Sequence, residues 1–150
     1  MRIAFDLDDT LLATAHDFPI EMPIKKFWSY LFKYEPLRKG TTKLFALCRN
    51  LNCEIWIYTT SFRNPIYIKR LFWLYGIPID GVVNQKIHTQ KVKQHISKYP
   101  PAFDIDIIID NSEGVKIEGE RHGFKTIWIL PSDENWVEKI LKELIAASRN

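Results

Sequence analysis

Cysteine is scarce in this chain. Cys48 and Cys53 are its only two, and neither has a metal-ligand neighbour at useful spacing. The sequence leaves a bridge between them open, but reduced packing thiols of a cytoplasmic protein are the preferred reading. Long apolar runs are missing as well: no segment approaches the roughly 20 residues that span a bilayer. Met1-Arg2 runs straight into Ile-Ala-Phe-Asp, without the apolar stretch and small-residue cleavage site of an export signal. A dominant charge sign is also absent. The 21 basic and 18 acidic side chains leave a net +3, too little by itself to argue for nucleic acid. Lysines gather locally, among them Lys25, Lys26 and Lys33, and are read as a solvated basic face. There is no repeat, low-complexity tract or linker, so residues 1–150 are expected to form one domain.

What is present suits a packed domain. Hydrophobic residues make up 46% of the 150 and charged residues 26%, too apolar for disorder. A chain of this length buries roughly 70% of its unfolded surface, enough for a core without disulfides. Strand-like and helix-like stretches alternate. Arg2–Asp6 is a short apolar run stopped by acids. From Pro23 to Pro36, Ile24, Phe27, Trp28, Leu31 and Phe32 recur at helical spacing. A second helix follows Gly40, with Leu44, Leu47, Cys48 and Leu51 as its stripe. Cys53–Tyr58 reads as a buried strand. The next helix has clear ends, with Asn64 as cap, Pro65 at its first position and Gly76 just beyond. Its inward face is Ile68, Leu71, Phe72 and Tyr75. Val82-Val83 reads as a short strand, Thr89–Lys98 as a helix, and Ile105–Ile109 and Phe124–Leu130 as strands. A last helix from Ser132 or Asp133 carries Val137, Ile140, Leu141, Leu144 and Ile145. Such alternation implies a parallel sheet covered on both sides.

Ligands of such sheets bind outside the carboxyl ends of the strands. Asp6, Thr59 and Asp110 each fall just after an apolar strand, so one edge collects acid, hydroxyl and acid. Asp6-Leu-Asp8-Asp9-Thr10 concentrates carboxylates that repel one another unless a cation sits among them. Oxygen donors of this kind select a hard ion such as Mg²⁺, which keeps waters and takes further ligands from a phosphate.

Asp-x-Asp-x-Thr after a first apolar strand resembles the first motif of the haloacid dehalogenase (HAD) superfamily. The resemblance implies a three-layer Rossmann-like fold with a central parallel sheet, a small flap and no large cap domain. It also implies an Mg²⁺-dependent phosphatase. Asp6 would be the nucleophile that becomes an aspartyl-phosphate. Asp8 would be the general acid and then base, its backbone carbonyl helping to hold the metal. Splitting hydrolysis into two displacements is the gain of covalent catalysis. Ile55–Thr59 is similar to the family's second motif, with Thr59 on the transferring phosphoryl and Thr60 as alternate. Ile107–Asn111 is similar to the fourth. It departs from the acidic pair toward the Asp-Asn form of the small phosphatases acting on the RNA polymerase C-terminal domain. Asp110 and Asn111 would therefore join Asp6 and Asp8 at the metal. The third-motif lysine would be Lys98, before Tyr99-Pro100-Pro101, with Lys91 second and Lys86 third.

The resemblance spans essentially the whole chain and its motifs come in family order. His16 falls where the family has its flap, and Trp28 lies close to it in sequence. With only one helix between residues 13 and 40, the site would be open to a phosphorylated small molecule, a phosphoprotein or a nucleic-acid end, or be closed by a second subunit. No membrane partner is expected. A receiver-like signalling domain, or a HAD fold that binds phosphate or a partner without turnover, is the alternative. A receiver carries its phospho-acceptor on the middle strand, and the order here differs.

Overall fold

The computed structural model describes residues 1–148. Its elements follow in the order β1 (Arg2–Phe5), β2 (Ile20–Glu21), α1 (Lys26–Leu31), β3 (Leu37–Arg38), α2 (Thr41–Asn50), β4 (Glu54–Tyr58), α3 (Pro65–Leu74), β5 (Gly81–Val83), α4 (Gln85–Lys91), β6 (Ile107–Asp110), α5 (Glu113–His122), β7 (Lys125–Trp128) and α6 (Trp136–Ser148). Five strands form one parallel sheet in the order β5-β4-β1-β6-β7. The period-2 alternation of strand side chains divides the core in two. Ile3, Phe5, Ile55, Ile57, Ile107 and Ile109 pack under α2, α3 and α6. Ala4, Tyr58, Val83 and Ile108 pack on the other face, against Val92, Ile96, Phe103 and Val115. This is the expected three-layer Rossmann-like architecture.

The sheet register sets the functional edge. Phe5 pairs with both Ile57 and Ile109, so Asp6, Tyr58 and Asp110 end level on adjacent strands. Asp6 N donates to Ile109 O at 2.8 Å, and Thr59 N to Val83 O at 2.9 Å. α3 forms as its sequence dictates. The Asn64 side chain accepts from Ile66 N, Pro65 opens the helix and Gly76 follows it at φ 71°.

Between β1 and α2 lies a small flap, with no large cap. β2 and β3 pair antiparallel and α1 spans the interval between them. The inward stripe expected over Pro23–Pro36 does not form: α1 has six residues and buries none of them, and of the stripe Phe32, beyond the helix, packs partly on the core. Trp28 instead stacks on Phe32 and meets Trp73 of α3 edge-on.

Other boundaries shift for local reasons. The helix expected over Thr89–Lys98 begins earlier, where the Asn84 side chain accepts from Ile87 N, and it ends at Lys91 because Val92 is extended. The buried pair Val92 and Ile96 imitates helical spacing from irregular chain. α5 has no counterpart in the sequence reading. It buries only Val115 and Gly119, and its form comes from the Ser112 cap and from Gly123 at φ 74°. α6 starts at Trp136 because Asp133 is held in a turn, accepting from Leu130 N at 2.9 Å. Among the described residues no helix is long and apolar enough to cross a membrane.

Asp9 anchors the flap. It adopts φ 57°, and its Oδ1 accepts from the backbone N–H groups of Thr14, Ala15 and His16 at 3.0, 2.9 and 2.9 Å. Partial burial pushes this carboxyl up, but the hydrogen bonds from His16, Thr14 and Ala15 outweigh it and hold the group at about 2. The unfolded chain therefore takes up a proton first as pH falls, and the stability contributed by Asp9 is complete above 3.8 and lost on the way to about 2. Asp9→Ala should cost about 1.5–3 kcal/mol at neutral pH. Urea denaturation should show the deficit shrinking in acid across that window. Equal stability of the two chains at neutral pH would contradict the anchoring role.

Candidate active site

Asp6 and Asp110 have the same strand parity as Ala4 and Ile108, so both turn toward the layer that supplies Lys98. The Lys98 ammonium contacts Asp6 Oδ1 and lies 2.6 Å from Asp110 Oδ2. The three side chains are 3%, 8% and 1% exposed for Lys98, Asp6 and Asp110. Residues separated by 92 and 12 positions thus converge on one nitrogen. The loop that delivers Lys98 is fixed on both sides. Ser97 is bonded through N and Oγ to Glu118, and Tyr99 N donates to Tyr58 Oη at 2.9 Å. Tyr58 Oη lies 2.5 Å from His88 Nδ1. Burial holds His88 below its usual range, so the neutral ring accepts the tyrosine proton. The structure places Lys98 between the carboxylates. Lys91 lies over the Phe103 ring instead, and Lys86 is exposed.

Further groups complete the edge. Thr10 Oγ1 lies 3.2 Å from both Asp6 Oδ2 and Asn111 Oδ1, and its single proton serves one of them at a time. Asp110 Oδ1 accepts from Ser112 N at 2.8 Å, and Asn111 O from Trp128 Nε1 at 3.0 Å. Thr59 is buried, but its hydroxyl is bound within its own turn, to Ser61 Oγ and Ser61 N at 3.1 Å each. Thr60 is exposed. His16 faces Asp9 at 3.3 Å and belongs to the flap anchor.

The Asp8 carboxylate stands apart from this cluster. Its Oδ2 accepts from Arg63 Nη1 at 2.8 Å. Arg63 also forks onto Glu35, through Nε at 3.0 Å and Nη2 at 2.8 Å, and Tyr67 Oη donates to Glu35 Oε2 at 2.9 Å. Arg63 and Glu35 are absent from the sequence reading. A signal existed, because Arg63 is the one charged residue between Glu54 and Lys69 and follows β4 at the ligand-binding edge.

Charge decides what this site accommodates. Burial pushes the Asp6 carboxyl up to about 6, Lys98 pulling it down and Asp110 adding to the rise. Burial also works against the Lys98 ammonium, yet Asp6 and Asp110 together raise its pKa above the ordinary value. Two carboxylates and one ammonium leave surplus negative charge in a dry place. Among the described residues no three histidine, cysteine or acidic side chains converge as a metal cage. Mg²⁺ does not need one: it is held by one or two carboxylates with neutral oxygens and water. Asp6, Asp110 and the Asn111 amide oxygen fit that requirement, being hard donors with charge to neutralise. Of the four expected ligands, these three are drawn together through Lys98 and Thr10, while the carboxylate of Asp8 is held by Arg63.

No protein-family model matches the chain, and no curated protein matches it. Among solved structures it is similar to an uncharacterized protein from Listeria monocytogenes serotype 4b, with a TM-score of 0.56 and 20% identity over 85% of this chain and 77% of that one. That likeness concerns the fold alone.

Removing the ammonium tests the cluster. Lys98→Met should cost about 3–5 kcal/mol at neutral pH, because it strands two buried carboxylates. In the intact protein Asp6 keeps, between 3.8 and about 6, a proton that the unfolded chain has lost, so its contribution to stability falls as pH rises through that window. Without Lys98 this dependence should steepen, and the deficit should shrink in mild acid as a carboxyl takes up the proton. A deficit that is small, or constant with pH, would contradict the arrangement.

Proposed function

We propose that the protein is a Mg²⁺-dependent phosphatase of HAD type that hydrolyses a phosphomonoester through an aspartyl-phosphate on Asp6. The observation that supports this reading is the Lys98 ammonium held between Asp6 and Asp110 at the carboxyl edge of a parallel sheet. A carboxylate is a poor nucleophile toward a phosphate dianion because the two repel. A fixed ammonium in a poorly hydrated cleft offsets that repulsion far better than one in water.

In the first step an Asp6 oxygen attacks phosphorus, the bond to the leaving-group oxygen breaks, and that oxygen takes a proton from Asp8. Asp8 has Oδ2 committed to Arg63, so Oδ1 is the atom free to carry the proton. In the second step a water attacks phosphorus, Asp8 accepts its proton, and the Asp6–phosphorus bond breaks. Inorganic phosphate leaves and both acids return to their starting states. Thr59 supplies a hydroxyl to the phosphoryl oxygens once it leaves its bond to Ser61. Mg²⁺, held by Asp6, Asp110, Asn111 and the backbone carbonyl of Asp8, would neutralise charge on the transferring group. The cytoplasmic location belongs to the same proposal. It is supported by Cys48 and Cys53, which are free and buried, with burial pushing the Cys48 thiol up to about 12.

Phosphate release from an activated aryl phosphate should need Mg²⁺ and stop in EDTA, with Ca²⁺ a poor replacement because its coordination is looser. Asp6→Asn should leave trace activity at most. Asp8→Asn should slow alkyl phosphates by roughly 10²–10⁴-fold and aryl phosphates less in the first step, since a good leaving group needs little proton assistance. Full turnover in chelator, or near-normal rates for either variant on an alkyl phosphate, would overturn the mechanism.

A further inference from the structure

The flap carries a surface that the chemistry at Asp6 does not use. Residues 22–34 contain five aromatic residues, three lysines and no acid. α1 lies within this stretch and buries nothing; Phe32 and Tyr34 pack partly against the core, but Phe27, Trp28 and Tyr30 stay exposed. Tyr30 is 90% exposed and Phe27 68%; Phe62, in the turn before α3 and next in sequence to the Glu35 partner Arg63, is 76% exposed. α3 borders the same face: Lys25 N donates to Leu74 O at 3.1 Å, and the Trp28 and Trp73 rings meet at 6.0 Å. From Ile55 to Ile79 the chain again has no acid.

The two acids that bound the flap segment are already engaged. Glu21 accepts from Gly40 N, Thr42 N and Thr42 Oγ1, and Glu35 accepts from Arg63 and Tyr67. Lys25, Lys26, Lys33 and Lys69 therefore stand among exposed rings with no carboxylate of this face left to neutralise them. The weak net charge of the chain conceals this local asymmetry. A partner of complementary chemistry is an anion that also presents flat apolar surfaces.

The face is continuous with the proposed active site. An open hollow of about 840 Å³ is bounded by Tyr30, Phe32, Lys33, Tyr34, Glu35 and Tyr67. Two of its walls, Glu35 and Tyr67, belong to the network that ends on Asp8. In the proposed mechanism Asp8 serves the leaving group, so this is the side on which the rest of a substrate would lie.

We propose that the flap, the exposed side of α3 and the turn before it form a platform for single-stranded nucleic acid, with Phe27, Tyr30 and Phe62 stacking on bases and the lysines following the phosphates. Stacking on aromatic rings along a basic track is how single strands are held without regard to sequence. A terminal phosphate of the strand would then reach Asp6, a consequence that rests on the phosphatase reading; the platform itself does not. A lipid surface suits the face less well. Tyr30, its most exposed ring, has a polar tip, and Ser29 and Glu35 line the same hollow.

Binding of a short fluorescein-labelled oligothymidylate, followed by anisotropy without metal, is the test. The whole chain should bind at low salt, and affinity should fall steadily as salt rises. Tyr30→Ala and Phe27→Ala should each weaken binding by roughly tenfold, with the fold intact by circular dichroism since neither ring is buried. Lys25→Glu with Lys26→Glu should flatten the salt dependence. Absence of binding at low salt would overturn the proposal, as would ring variants that bind like the parent. So would binding to vesicles of phosphatidylserine but not to the oligonucleotide, or a dimer in sedimentation that Tyr30→Ala dissolves in a chain that ignores the oligonucleotide. Oligonucleotide binding with no phosphate release from any phosphomonoester would remove the phosphatase reading and leave the platform. Aryl phosphate turnover without oligonucleotide binding would do the reverse.

Discussion

One ammonium group between two carboxylates governs the functional edge of this protein. β1 and β6 are adjacent and parallel, and their register brings Asp6 and Asp110 to the same level on the same face. Two buried like charges so placed cannot both stay ionised without a counter-charge. Lys98 supplies it, and the demand for it reaches into the chain on either side. The loop after α4 abandons helix so that Lys98 can turn inward, and Tyr58, His88 and Glu118 fix that loop in place. A charge cluster of this kind is a weak source of stability, because desolvation consumes much of the attraction. Its surplus negative charge would suit a cation, the Mg²⁺ of the proposed mechanism.

The flap is tied to this edge by charged groups that act at different points. Asp9 gathers three backbone N–H groups at the flap's start. Arg38, at its end, is buried between the Phe18 and Trp136 rings and donates to the carbonyls of Leu130, Pro131 and Asp133. Arg63 joins Asp8 to Glu35, so the acid proposed to serve the leaving group and the segment proposed to bind the rest of the substrate share one guanidinium. Its planar fork holds Glu35 by two donors and still reaches Asp8.

Strongly periodic elements were legible in the sequence. α3 announces itself through Asn64, Pro65 and Gly76, and β1, β4 and β6 through unbroken apolar runs that end in acid or hydroxyl. The strand-end rule then places Asp6, Thr59 and Asp110 on one edge. What escaped has physical causes. α5 carries too few apolar residues to show a period and is made by its caps. The stripe in α1 has helical spacing without a core to face, because periodicity records amphipathicity and not what lies opposite. Lys98 could be ranked above Lys91 and Lys86 only by its position before β6, since the contact that distinguishes it spans 92 residues. Arg63 escaped because a single arginine in a turn is ordinary until its two carboxylate partners, 55 and 28 residues away, are known.

The central claim is that Asp6 accepts a phosphoryl group. Trapping that adduct tests it most directly: the chain is mixed with Mg²⁺ and an aryl phosphate, quenched in acid, reduced with borohydride and mapped by peptide mass spectrometry. Reduction of an aspartyl-phosphate converts the residue to homoserine, and the account predicts that conversion at position 6, in greater yield for Asp8→Asn, which loses the base for the second step. Phosphate release with no modification at position 6, or with the adduct on another residue, would contradict it.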